Sequence, residues 1–293
     1  MLGPRQLQDL LSLLDGLSLG GAKTDPGLLA DCWRAAAAVY REFAVTEAGA
    51  ADNAQIKPLP RTMRAHVAKL IETPALRATF GTVPIAFGMV ALESLIVSQY
   101  TLTRSVVERL RGVPAVGRGQ RMLAAMCLPL EQSRSDFGLV YQDGNEFVFA
   151  SDAHDMRFLA ARVVPAEAVT AAAMPGHAQA VLALGVGFSS NVLDVVRFNN
   201  RMVLNNGHHR AFALRRMGFT HVPCLIQACA NEEELSLAAS AEIQNNSDLY
   251  FEAPRPPLLR DFDHPVLARS FQVPRLRRLV RLKIEVESQL VAL

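Results

Sequence analysis

Cysteine is scarce in this sequence, which has four cysteines in 293 residues, at irregular intervals. Four scattered cysteines do not suggest the framework of a disulfide-rich secreted domain. Cys224 and Cys229 have no second cysteine pair to complete a zinc site, so we expect both to be buried thiols. The first residues also lack the basic-then-apolar order of a secretion signal. Together these absences favour a reducing, cytoplasmic location.

A large excess of charge and a long hydrophobic run are absent as well. The 30 Lys and Arg residues against 28 Asp and Glu give a net charge of +2, so no strong field attracts nucleic acid or anionic lipid. The apolar stretches are interrupted well before the roughly 18 residues that a membrane span needs. No Gly-Lys-Ser/Thr loop, Gly-x-Ser-x-Gly elbow or Cys/His protease signature occurs. These absences argue against P-loop chemistry, against serine or cysteine hydrolysis, and against a place in the membrane.

Half of the residues are hydrophobic, which suffices for a sizeable core in one large domain or two smaller ones. The spacing of apolar residues predicts a helical region over 1–80, a mixed α/β region over 81–230 and a helical region over 231–293. The last region would end in an amphipathic helix over 274–293 that begins with several arginines. Such a stripe is usually a docking helix with a solvated basic face, and nucleic-acid binding is the alternative. We therefore expect an α/β (α+β) fold with a mixed sheet and flanking helical segments.

Smaller patterns predict individual elements of this fold. A helix is expected over 61–76, and an apolar strand over 87–97 leads into a polar turn and a helix over 103–110 with Thr103 as its N-cap. Asp143-Gly144 indicates a hairpin turn between two short apolar runs.

The most informative segment predicts the order strand, strand, turn, helix, strand. Residues 191–198 and 201–204 are apolar runs separated by Asn199-Asn200, a pair that tolerates the positive φ values of a tight hairpin. A short helix over 211–217 follows, with Gly218 placed for a left-handed C-terminal cap. Residues 221–227 then resume as a strand.

The turn before this helix, Asn205-Asn206-Gly207-His208-His209-Arg210, has the composition of an anion-binding site. A helix N-terminus presents unpaired N–H groups, and glycine lets an anion approach the backbone. Arg210 adds a planar fork of donors that suits phosphate, and the two histidines add donors whose charge depends on pH. Neighbouring helical residues point about 100° apart, so we expect one histidine to face the ligand and the other to orient the turn. An ordinary helix start with surface histidines is the structural alternative.

This stretch resembles the signature of the ParB/sulfiredoxin superfamily, in which a strand ends in Gly-x-His/Arg-Arg and is followed by a short helix, a glycine and an x-Val-Pro-x strand. The matching residues are Gly207 to Arg210, Gly218 and Val222-Pro223. A second stretch, Val90-Ala-Leu-Glu-Ser-Leu-Ile-Val-Ser-Gln-Tyr, is similar to the first block of ParB-like domains. The resemblance covers residues 87–110 and 191–226, within a ParB/sulfiredoxin-like domain over 81–230. The stretch 112–190 would then be an insertion.

The resemblance implies a nucleotide, ATP, ADP or CTP, bound with Mg²⁺, and it is compatible with a homodimer. Asn206, Gly207, His208, His209 and Arg210 would hold the nucleotide. His208 stands where sulfiredoxins place a reactive cysteine, which argues against sulfinic-acid repair. Neither the Glu-Arg-Arg turn nor the helix-turn-helix domain of chromosome-partition ParB proteins is found.

The turn is also similar to that of kinases of free serine, whose catalytic base is an acid near the first block. Glu93 is the matching carboxylate, so Glu93, His208 and His209 are the catalytic candidates. For a metal ion we consider Asp194, with a structural salt bridge as its alternative, and Asp155. Asp155 belongs to the polar run 151–157, which could supply a base, a metal ligand or only a helix cap.

The leading hypothesis is a nucleotide-binding protein that acts as a phosphotransferase on a small-molecule acceptor or as a nucleotidase. The alternative is a non-enzymatic, DNA-associated regulator in which the nucleotide acts as a switch. A structural protein whose turn binds only adventitious anions is a third hypothesis.

Overall fold

The computed structural model describes residues 1–17, 25–112, 119–130, 137–153, 156–165, 178–188, 190–273 and 277–291. The fold is α+β, as expected, because the chain contains helices together with strands that form a sheet of parallel and antiparallel neighbours. The chain divides into two compact units, unit 1 with residues 1–132 and 190–274, and unit 2 with residues 133–189 and 275–293. Within the described residues, no helix is both long and apolar enough to cross a membrane.

The elements of unit 1 are, in chain order, α1 Leu7–Leu17, α2 Pro26–Thr46, β1 Ile56–Lys57, α3 Arg61–Ile71, α4 Pro74–Phe80, β2 Ile85–Ala91, β3 Ile96–Val97, α5 Arg104–Arg111 and α6 Gln120–Cys127. After unit 2 the chain returns with β8 Asp194–Phe198, β9 Arg201–Asn206, α7 His208–Arg216, β10 His221–Ala228, α8 Glu232–Ala238, α9 Ala241–Gln244, α10 Ser247–Phe251 and a 3-10 turn Leu259–Asp263.

Unit 1 is built on a six-stranded sheet in the order β1-β2-β10-β8-β9-β3. Strand β10 runs parallel to β8 and β3 runs parallel to β9, whereas the other neighbours are antiparallel. The central strands are almost wholly buried, and their side chains form one core with residues from α3, α4, α6, α7 and the helices after β10. A smaller apolar cluster joins α1 and α2 to Leu2 and Leu267.

The predicted strand, strand, turn, helix, strand order is confirmed. Asn199 and Asn200 adopt φ values of 48° and 61°, which give the hairpin turn whose twist matches the flanking strands. Gly218 follows α7 with a φ of 89°, a left-handed conformation that glycine adopts without strain. These features come out as predicted because each depends on the sterics of only a few residues.

Two predicted elements of unit 1 are each divided in the structure. The helix expected over 61–76 ends at Ile71, and Pro74 opens a new helix, because proline disfavours helical geometry in the residue before it. The strand expected over 87–97 is two strands, β2 and β3. They lie at different positions in the sheet, since β2 pairs with β1 and β10 while β3 pairs with β9.

Unit 2 contains β4 Phe137–Asp143, β5 Glu146–Ser151, β6 Met156–Pro165, β7 Ala180–Phe188 and β11 Arg278–Lys283. Strands β4 and β5 form the hairpin expected at Asp143-Gly144, and β6 and β7 form a second hairpin. The expected helix over 274–293 is wrong over 278–283, which is a strand. Those residues pair antiparallel with β5, and Arg281 lies 3.1 Å from Glu146. By pairing with the open edge of β5, residues 278–283 form the backbone N–H to C=O hydrogen bonds that they would otherwise form within a helix.

The stretch that leaves unit 1 begins later than the insertion predicted over 112–190. Helix α6 belongs to unit 1, because the Leu193 N–H donates to the Cys127 carbonyl at 2.7 Å and Leu123, Ala124 and Cys127 are in the core. The departure from unit 1 therefore spans 133–189 rather than 112–190.

Candidate functional site

The Gly207 turn joins the end of β9 to α7, and its geometry requires glycine. Gly207 has a φ of 97°, a region that side-chain-bearing residues rarely adopt. A Cβ at this position would also lie 3.1 Å from Cγ of Leu193. The turn therefore brings the backbone close to the segment that precedes β8, and it places the N-terminus of α7 at the carboxyl end of β9.

His208 faces inward and accepts hydrogen bonds. Its Nε2 atom receives the Ser98 N–H at 3.3 Å and the Gln99 N–H at 3.2 Å, so the ring proton must be on Nδ1. Desolvation by burial, together with the charge of His209, lowers the pKa of His208 to about 3, and a hydrogen bond to the Leu204 carbonyl opposes this shift. At neutral pH the imidazole is uncharged and its Nε2 has no proton to donate.

His209 binds the same loop at its other end. The Thr103 N–H donates to Nε2 of His209 at 2.8 Å, just before α5 begins. The sequence predicted that one histidine would face a ligand and the other would orient the turn, whereas in the structure each ring contacts a different part of the 98–103 loop. In the structure both rings attach this loop to α7.

Arg210 is buried and its guanidinium is used inside the protein. Its Nη1 donates to the Asn191 carbonyl at 2.7 Å and to the Cys127 carbonyl at 3.3 Å, and its Nη2 contacts the Asn191 side chain. Burial lowers the pKa of Arg210 from its usual value. These contacts connect α7 to α6 and to the segment before β8. They do not match the phosphate-binding role that the sequence predicted for Arg210.

The two asparagines at the end of β9 point to different partners. Nδ2 of Asn206 donates to the carbonyls of Ser190 at 2.7 Å and Val192 at 3.1 Å. Oδ1 of Asn205 accepts the Ser240 N–H at 3.0 Å. Asn205 therefore fixes the junction of α8 and α9 beside the end of β9, and Asn206 fixes the segment before β8.

A cleft of about 300 Å³ lies at the carboxyl ends of β3 and β9. Its lining residues are Arg5, Ser98, Gln99, Tyr100, Asn205, His208, Ser240 and Glu242. Parallel strands place their carboxyl ends at one edge of a sheet, and α/β proteins commonly bind ligands there. The loop and the α8–α9 junction that form its walls are held in place by His208, His209 and Asn205.

Arg5 supplies the positive charge of this cleft. Its guanidinium carbon lies over the Tyr100 ring, 5.4 Å from the centroid, and the Tyr100 hydroxyl lies 2.8 Å from the Tyr250 hydroxyl. Desolvation by burial raises the pKa of Tyr250 to about 12 and that of Tyr100 further, so both phenols stay protonated. Among the described residues no hydrogen bond or ion pair engages the Arg5 guanidinium, and its Nε is buried without a partner.

Glu93 lies at the opposite end of α7 from the Gly207 turn. Its carboxylate accepts from Arg215 at 3.3 Å and from Arg260 at 3.0 Å. Arg215 lies seven residues beyond His208, which is about 10 Å along a helix. Burial is the largest single effect and raises the pKa of Glu93, but the hydrogen bonds and charges of Arg260 and Arg215 together outweigh it and lower this pKa, whereas a general base benefits from a raised one. The structure thus does not bring Glu93 to the turn.

Of the two metal candidates, the structure describes only Asp194. Asp194 is buried in β8, 3.5 Å from Nδ2 of Asn205, and Asp155 lies outside the described residues. Within the described part of the chain, no group of three or more His, Cys, Asp or Glu side chains is arranged to hold a metal ion.

Sequence reasoning missed three residues of the cleft. Arg5 lies about 80 positions before residue 87, and Ser240 and Glu242 lie beyond the strand that follows the turn, so no local pattern marks these residues. Ser98 and Gln99 carried a signal, because they form the polar turn that follows the first block. No family model matches the chain, and no curated protein or solved structure matches it either.

Proposed function

We propose that this protein binds a nucleotide in the cleft between the 98–103 loop and α9, with the phosphates near the N-terminus of α7. The observation that carries the proposal is that both histidines of the Gly-His-His-Arg turn hold the loop after β3 against α7. The walls of the cleft are therefore held in position by the turn itself. The resemblance to ParB/sulfiredoxin-like domains supports the same ligand class.

The chemistry of the lining residues fits a ligand with phosphates and hydroxyls. The cleft offers a guanidinium from Arg5, a carboxylate from Glu242 and amides from Gln99 and Asn205. Backbone N–H groups in the first turn of α7 have no intrahelical acceptor and favour negative charge. Mg²⁺ is usually held by one or two carboxylates together with phosphate oxygens, and Glu242 would supply the carboxylate.

Calorimetry and thermal melts with ATP, ADP and CTP, each with and without Mg²⁺, test this proposal. Ligand at about 100 times its Kd should stabilise the fold by about 2.7 kcal/mol. Glu242→Gln should weaken binding in Mg²⁺ and leave binding without Mg²⁺ unchanged. The matched control is Glu232→Gln, which alters an exposed acid in the first turn of α8. If no nucleotide stabilises the native protein, the proposal is refuted.

Phosphoryl transfer to a small acceptor is the second candidate function, and Glu242 favours it. Phosphoryl transfer depends mainly on positioning and on charge stabilisation, and a carboxylate near the phosphates can accept the proton of an attacking hydroxyl. Incubation with ATP or ADP and free serine, followed by product analysis, tests this function. The absence of both a phosphorylated acceptor and phosphate release would leave nucleotide binding alone.

A further inference from the structure

The Arg5 guanidinium is placed for a ligand, because it lines the cleft and no described residue forms a hydrogen bond or ion pair with it. The buried arginines of unit 1 illustrate the difference. Arg201 pairs with Asp52 and two carbonyls, and Arg255 pairs with Glu47 and Asp261. The Nε atoms of Arg5, Arg111 and Arg215 are all buried without a hydrogen-bond partner among the described residues. Arg111 and Arg215 still bind carboxylates through their Nη atoms, whereas no described residue makes such a contact with Arg5.

The other cations near the turn are not available to an anion. His208 is uncharged at neutral pH, and Arg210 donates to carbonyl groups inside unit 1. Arg5 is therefore the one arginine or lysine among the residues that line the cleft.

The stacking of Arg5 on Tyr100 also orients its donors. A guanidinium that lies over an aromatic ring keeps the N–H groups at its edge free for hydrogen bonds. Tyr100 is buried, and its hydroxyl contacts Tyr250, so the ring is a fixed support. The guanidinium can then meet two phosphate oxygens with two parallel N–H donors.

We infer that Arg5 is the phosphate-binding arginine of this protein, supplied to the cleft by the segment that precedes α1. This inference rests on the proposed function and adds the residue that selects for a phosphate-bearing ligand. The resemblance to ParB/sulfiredoxin-like domains covers residues 87–110 and 191–226, so it does not include Arg5. The segment before α1 would thus complete a site whose other walls are the 98–103 loop and the α8–α9 junction.

The test compares three ligands, ADP, inorganic pyrophosphate and adenosine, by calorimetry on the native protein, Arg5→Gln and Arg5→Lys. We expect Arg5→Gln to weaken ADP and pyrophosphate binding at least tenfold and to leave adenosine binding within twofold. Arg5→Lys should give an intermediate loss, because it keeps the charge but not the planar fork. The matched control is Arg34→Gln, an exposed arginine of α2 whose ion pair is with Asp31.

Each other outcome has a definite meaning. Equal weakening of ADP and adenosine, with a lower melting temperature of the ligand-free variant, would show that Arg5 only supports Tyr100 and would overturn the inference. Unchanged ADP affinity in Arg5→Gln would overturn it as well. If the native protein binds pyrophosphate through Arg5 but binds no nucleotide, the inference stands and the proposed function fails. If the native protein binds none of the three ligands and neither ATP nor CTP, both fail.

Discussion

The native protein should lose stability as the pH falls below about 6.5, and the part of this loss that comes from His208 should be absent in His208→Gln. The folded protein keeps His208 neutral, with a pKa of about 3, whereas the unfolded chain protonates this residue near the ordinary value of 6.5. Between these values the unfolded state binds the extra proton. The free energy of unfolding therefore rises with pH in this window, and the contribution of His208 is complete above pH 6.5 and lost as the pH falls toward 3.

The size of the effect follows from the shift in pKa. Each pH unit inside the window changes the free energy of unfolding by about 1.4 kcal/mol, so lowering the pH from about 7.5 to about 4.5 should cost about 2 to 3 kcal/mol. Domains are stable by only about 5 to 15 kcal/mol, so this loss is readily measured. The structural cause is that a protonated Nε2 would direct an N–H at the N–H groups of Ser98 and Gln99.

Urea unfolding followed by circular dichroism at several pH values provides the measurement. Glutamine offers an oxygen acceptor for the two loop N–H groups and an amide donor, and it does not titrate. The useful quantity is the native free energy of unfolding minus that of His208→Gln, because the other titrating groups cancel in the difference. A difference that stays constant within about 0.5 kcal/mol across the range would refute the assignment of His208 as a buried neutral acceptor.

Three further predictions concern the turn and its surroundings. Gly207→Ala should lower the free energy of unfolding by about 2 kcal/mol or more, since a left-handed residue costs about 1 to 2 kcal/mol and the new Cβ meets Leu193. The control is Gly218→Ala, whose Cβ meets no atom within 4 Å and which should therefore show the conformational cost alone. Equal losses in the two variants would contradict the close approach of Gly207 to Leu193. Arg210→Leu should lower the free energy of unfolding, measured in urea, by about 3 kcal/mol or more, because two carbonyl acceptors lose a buried charged donor. A variant that keeps its stability and loses only ligand affinity would instead argue for a phosphate-binding role of Arg210. Glu93→Gln should change stability by less than about 1 kcal/mol and leave nucleotide affinity unaltered, because this carboxylate is largely exposed and far from the cleft; loss of binding or turnover would return Glu93 to the site.

The local features of this fold could be predicted because short segments determine them. Asn199-Asn200 produces a hairpin, Gly218 ends α7, and apolar runs on either side become strands, all through backbone sterics and side-chain periodicity over a few residues. The composition of the Gly207 turn likewise indicated a helix start that follows a strand. The helix expected over 274–293 is a strand over 278–283 for the opposite reason, since pairing with β5, more than 120 residues earlier in the chain, decided the conformation of these residues.

The make-up of the site depended on contacts between distant segments. The sequence predicted an anion-binding turn at Gly-His-His-Arg. It did not show that both histidines would accept backbone N–H groups from the loop after β3, or that Arg210 would point into the protein. Only the packed structure brings Arg5 and Glu242 to the same cleft. Turns and periodicity are encoded by neighbouring residues, so the sequence alone located the turn. Side-chain direction, burial and pairing arise from long-range packing, so the tertiary structure decided which groups a ligand at this turn can meet.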